Sequence, residues 1–156
     1  MTDPLLVAAR RAVTESFDEL RRSVDGLPGP ALDWRPAGTD TNSLAVLVTH
    51  SMNSTRLLMR VAVGLPPPKR DREAEFQAKS ADPAALLAMI DDLAVEITTA
   101  LDSVETVDWS ALEGWTRASG EVVEFTRAYA LIHGAEHLRG HVDQASLTRH
   151  LWEGRK

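Results

Sequence analysis

The residues of this chain best suited to chemistry are its five histidines, His50, His133, His137, His141 and His150. Three of them recur at a spacing of four in the run H-G-A-E-H-L-R-G-H. On a helix, residues four apart lie about 5–6 Å from one another at Cβ, close enough for two imidazoles to reach one metal ion. A third ligand must then come from another segment, and His50 is the only histidine on a different predicted helix. Neutral imidazole suits zinc, nickel, copper or ferrous iron. Three protein ligands with an open position are the usual form of a catalytic zinc site. The competing reading is structural: a histidine pair at this spacing can sit in a core or on a surface, held by ordinary hydrogen bonds. Burying unpartnered imidazoles costs free energy, which favours a ligand if the pair faces inward.

The chain contains no cysteine, so a thiolate ligand, a cysteine nucleophile and a disulfide framework are excluded. Any attacking sulfur would have to come from a small molecule. Glu136 neighbours His137 and is a candidate base. Its angle puts it at the edge of the histidine face, where a solvated residue is expected. Arg56 and Arg60, beyond His50, could meet an acidic substrate, although solvated or paired roles are the usual ones. Trp109 and Trp115 could wall a pocket over an ion or simply plug the end of a bundle.

These residues need helices to position them, and the pattern supplies four. The first is expected from Asp3 to about Leu27, with Leu6, Val13, Phe17, Leu20 and Val24 as its stripe and Pro4 in its first turn. The second should begin near Thr41 or Asn42 and end before Gly64-Leu65-Pro66. The third opens at Asp82-Pro83, a capping residue followed by proline at the first helical position, and frays around Asp108. The fourth is expected from about Gly120 to Leu151. Placed at 100° per residue, His133 and His137 share a face with Val122, Thr126, Tyr129, Ala130, Gln144 and Leu151. Leu131, Leu138 and Val142 point roughly the other way, where they could cover a partner surface or another helix. His141 lies further round and His150 near the end, and both are expected at the surface. The charged segment KRDREAEF reads as a solvated connector, and WSALEGWTRASG as an irregular one. No useful β-alternation is evident. The expected fold is all-α, an antiparallel four-helix bundle.

Composition sets the remaining bounds. The 156 residues fit a single domain, 1–156, since domains commonly run about 100–200 residues. A net charge of -6 disfavours nucleic acid, which needs a basic surface. No apolar run is long enough to span a membrane, and the first residues lack a secretion-signal pattern. A cytoplasmic location and a small-molecule substrate are expected.

The sequence resembles the DinB-like family of metal-binding four-helix bundles. The likeness is carried by N-S-L-A-V-L-V-T-H at 42–50, by L-I-H-G-A-E-H-L at 131–138 and by Arg35-Pro36 before the second helix. The resemblance implies a divalent metal, zinc first with nickel or iron as alternatives, held by His50, His133 and His137. Related mycothiol-dependent isomerases carry Glu at the position matching His133. It also implies a homodimer and an activity using mycothiol or a similar thiol, as a transferase or isomerase. A binding bundle without turnover and a metal-dependent hydrolase are the alternatives. Aligning instead on Arg139-Gly140 moves the register by one and makes His137 and His141 the pair. His133 and His137 are preferred because they face the same way as the predicted core stripe.

Overall fold

The computed structural model describes residues 3–116 and 120–155. Six helices and one hairpin follow in the order α1 (Pro4–Val24), α2 (Gly29–Leu32), α3 (Leu44–Ala62), α4 (Arg72–Phe76), α5 (Pro83–Asp102), β1 (Leu112–Thr116), β2 (Val122–Thr126) and α6 (Arg127–Glu153). The four long helices, α1, α3, α5 and α6, form the bundle. α6 packs on α3 and α1, and α5 packs on the same two, so α1 and α3 lie across the bundle from each other.

Local chemistry sets the helix starts. The Asp3 carboxylate accepts from the Leu5 amide at 2.9 Å, and Asp82 does the same for Ala84 at 2.9 Å. Ser43, rather than Thr41 or Asn42, caps α3 by accepting from Val46. Each such cap satisfies an amide left without an intrahelical partner, worth about 1 kcal/mol. Arg35 ties down the loop before α3, donating from Nη1 to the Thr41 carbonyl at 3.1 Å.

The core takes in the predicted stripe of α1, with Val13, Leu20 and Val24 buried, together with Leu44 and Leu58 of α3 and Ile90, Ile97 and Leu101 of α5. On α6 the structure corrects the face assignment. Leu131, Leu138, Val142 and Ala145 are buried in the core, whereas Tyr129 and Leu151 are exposed. Leu131, Leu138, Val142 and Ala145 step by seven, four and three, which is the inward stripe of a helix gripped by two neighbours. They are therefore unavailable to cover a partner. The first helix ends at Val24 and the third at Asp102, each earlier than expected.

Two connectors also differ from expectation. Part of WSALEGWTRASG forms the strand β1, which pairs antiparallel with β2, Gly114 opposite Glu124. A Cβ on Gly114 would lie 2.5 Å from the Val123 carbonyl oxygen, so the close pairing requires glycine there. Residues 117–119 of that segment, and the expectation for the Trp115 side chain, lie outside the described residues. The charged connector holds α4, capped by Asp71, with Glu75 buried.

Candidate metal centre

α3 and α6 approach closely because Gly134 lies at their contact. A Cβ there would lie 3.0 Å from Leu58 Cβ and 2.8 Å from the end of Met59. One turn further along α6, His137 comes opposite His50.

His50, His137 and His141 each offer one ligand atom within 4.8 Å of the others. The His50 ring centre is 5.2 Å from that of His137 and 5.0 Å from that of His141, and the latter two are 4.5 Å apart. His50 is buried, and the other two are half-buried. His133 lies outside this group. Its ring is 5.8 Å from that of His137 and stacks on Tyr129 at 5.3 Å. Of the histidines singled out by sequence, His50 and His137 are thus brought together. The third member of the group is His141, the residue that the Arg139-Gly140 register pairs with His137. His150 is exposed, as expected.

The nitrogens have distinct surroundings. His50 Nδ1 lies 3.0 Å from Glu75 Oε2. His141 Nδ1 lies 2.8 Å from the Gln144 amide oxygen, which can only accept, so that nitrogen carries the proton and Nε2 is left with a lone pair. His137 Nδ1 is buried and has no hydrogen-bond partner; among the described residues no other buried side-chain nitrogen or oxygen is left so. Leaving such an atom unsatisfied costs about 1–3 kcal/mol.

Burial, reinforced by the neighbouring His141, His50 and His133 rings and by Arg70, pushes the His137 pKa down to about 4. Burial also lowers that of His141, more than the Gln144 hydrogen bond raises it. Both rings are thus neutral at pH 7, the form that binds metal. The donor set, its protonation and the orphaned nitrogen all fit a divalent cation.

Other candidates have structural roles here. Arg56 Nε donates to Glu96 at 2.8 Å, and Arg60 lies 3.6 Å from the same carboxylate. Trp109 packs against the core and donates its indole N–H to Asp3 at 2.7 Å, which closes one end of the bundle. Glu136 is exposed. A groove of about 610 Å³ between α1 and α5 is lined in part by Leu6, Val7 and Leu101 and bridged by an Arg10–Asp102 pair at 2.8 Å; no histidine lines it.

The connector before α5 adds residues that sequence reading passed over. Glu75 and Arg70 form a two-armed ion pair beside His50, and the Phe76 ring lies 4.5 Å from the His50 ring. Their signal was weak, because charges in a loop ordinarily mark solvent. Burial would raise the Glu75 pKa, but hydrogen bonds from His50 and Arg70 and the Arg70 charge hold it below the ordinary glutamate value.

The profile of the DinB superfamily matches residues 12–145. The chain belongs to the DinB superfamily. Its fold is similar to that of a conserved protein from Enterococcus faecalis, with a TM-score of 0.75 over 99% of each chain at 15% identity. No curated protein matches the sequence. Among the described residues, no helix of this DinB-superfamily member is long and apolar enough to cross a membrane.

Proposed function

We propose that this protein holds a divalent cation, zinc first with nickel or iron as alternatives, on His50, His137 and His141, and uses it in a thiol-dependent transfer or isomerisation. The observation that carries the reading is the convergence of three imidazoles within 4.8 Å, one with a buried nitrogen that no protein group satisfies. Three imidazole ligands leave coordination positions open for a small molecule, as a catalytic site needs. When bound, a divalent cation stabilises a coordinated thiolate and makes it available at neutral pH.

The rest of the assignment concerns the chain's own groups. The chain has no cysteine, so the thiol comes from outside it, and the family resemblance implies a small-molecule cosubstrate of the mycothiol type. His141, fixed by Gln144, and His50, fixed by Glu75, present rings that do not need to reorient when the ligand arrives. We assign the electrophile to the side of the centre marked by half-buried His133 and exposed Tyr129, the next rings along α6.

The test uses protein purified without a polyhistidine tag. Elemental analysis should find about one divalent ion per chain, and the loaded protein should join a low-molecular-weight thiol to an electrophile such as an activated aryl halide or a maleyl compound. Protein that stays metal-free after reconstitution overturns the reading. Loaded protein inactive across several thiols and electrophiles overturns the thiol chemistry alone.

A further inference from the structure

Glu75 is the only carboxylate among the buried described residues, and it lies against His50. Its side chain is 6% exposed. Arg70 grips it with Nε on Oε1 and Nη2 on Oε2, each at 2.7 Å. Oε2 also lies 3.0 Å from His50 Nδ1, and Phe76 packs on the same imidazole. A buried ion pair is a poor device for stability, since apolar residues of similar volume often serve as well or better. Carboxylates that accept the second N–H of a ligating imidazole, by contrast, fix its tautomer and raise its basicity.

We propose that Glu75 is a positioning residue for the cation: it accepts the Nδ1–H of His50, so that Nε2 is the nitrogen offered to the ion, while the two-armed contact with Arg70 holds the carboxylate in place. The inference rests on the metal-binding part of the reading above. Arg70 Nη2 also lies 3.3 Å from His50 Nδ1, and a guanidinium can only donate. Nη2 carries two hydrogens, one directed to Glu75 Oε2 at 2.7 Å and one free to face Nδ1, but a carboxylate oxygen only accepts, and its 3.0 Å contact is the shorter of the two at Nδ1. In this proposal the proton therefore sits on Nδ1.

The experiment pairs cobalt(II) titration, read by its visible absorption, with ¹⁵N NMR of the histidine rings in metal-free protein. The proteins are wild type, Glu75→Gln and Glu75→Ala, each checked for a wild-type circular dichroism spectrum. The alanine variant should bind cobalt about 10–100-fold more weakly, with an altered absorption band. Glu75→Gln, whose amide oxygen can still accept, should lose less, which also covers the case in which the alanine variant does not fold. Metal-free wild type should show His50 protonated at Nδ1, and this preference should weaken in Glu75→Ala. Wild-type affinity and spectrum in folded Glu75 variants overturn the positioning role and leave the metal centre standing. A wild-type His50 protonated at Nε2 does the same. Wild-type protein that binds no cobalt overturns the metal centre and this role with it.

Discussion

The His50 ring on α3 meets the His137 ring on α6 edge to face, with centres 5.2 Å apart, and His141 closes the group at 5.0 Å from His50. His133 stands apart, stacked on Tyr129. Single substitutions by alanine should therefore separate the four. His50→Ala, His137→Ala and His141→Ala should each lower divalent-metal affinity by at least about 100-fold, since each removes one of three ligands. His133→Ala should stay within about threefold of wild type. Titration calorimetry of all four decides the ligand set: retained binding in His141→Ala with loss in His133→Ala would assign the site to His50, His133 and His137 instead.

The depressed pKa of His137 has a consequence for the metal-free protein. Unfolded, an imidazole titrates near 6.5; folded, His137 takes up its proton only near 4. Between those values the unfolded chain binds more protons, so stability falls as pH falls. The contribution is fully present above about pH 6.5 and is lost progressively toward pH 4. Glu75 acts in the same direction but lower, since its folded pKa lies below 4.5. Thermal melts of metal-free protein from pH 7.5 to 4.5 should show a declining Tm. The decline between pH 6.5 and 5 should be shallower in His137→Gln; an equal slope in the two proteins would assign it to other groups.

The four long helices were legible because their signals are local: Asp82 caps where the sequence says, Pro4 stands in the first turn of α1, and the stripe of α1 is buried as spaced. α6 was harder because it carries two competing stripes, Leu131-Leu138-Val142 and the histidines, and periodicity alone does not say which faces inward. Choosing the histidine face as the core sent His141 to the surface, although the Arg139-Gly140 register pointed to it. Glu75 was illegible for a different reason. Its burial depends on Arg70 and on His50, which is remote in sequence, and a lone run of charges contains no trace of that pairing. The hairpin escaped because each strand is five residues long and Gly114 interrupts the first.

The corrected face of α6 can be tested at Leu138, which has no exposed surface. Truncating a buried leucine to alanine costs about 2–5 kcal/mol through lost burial and the cavity left behind. Leu138→Ala should lower stability by that amount in urea unfolding and leave the elution volume on gel filtration unchanged. A change in oligomeric state with little loss of stability would return this face to the surface.

Gly134 sets the separation of α3 and α6, and a methyl group there has two opposing effects. Alanine is the better helix former by about 1 kcal/mol. Its Cβ, however, would lie 3.0 Å from Leu58 Cβ, an atom held by its own backbone, though the Met59 end can swing away. Overpacking of this kind typically costs about 1–3 kcal/mol. The clash should win narrowly, so Gly134→Ala should be destabilised by up to about 2 kcal/mol and should bind metal more weakly than wild type, because α6 carries His137 and His141 relative to His50. A stabilised variant with unchanged metal affinity would show that the interface yields without moving the histidines.

Metal binding should also appear as stability, because the ligands come from two helices and the complete set exists only in the folded chain. A ligand that binds only the native state at about 100 times its Kd adds about 2.7 kcal/mol. For a chain of this length, that corresponds to a rise in Tm of roughly 5–11 °C at about 2–4 °C per kcal/mol. Zinc added to metal-free protein should produce a rise of this size, a chelator should reverse it, and His137→Ala should show neither. The variant separates site binding from loose association at exposed His150 or the surface carboxylates, which it leaves intact. An equal rise in wild type and in His137→Ala would place the stabilising ion elsewhere on the molecule.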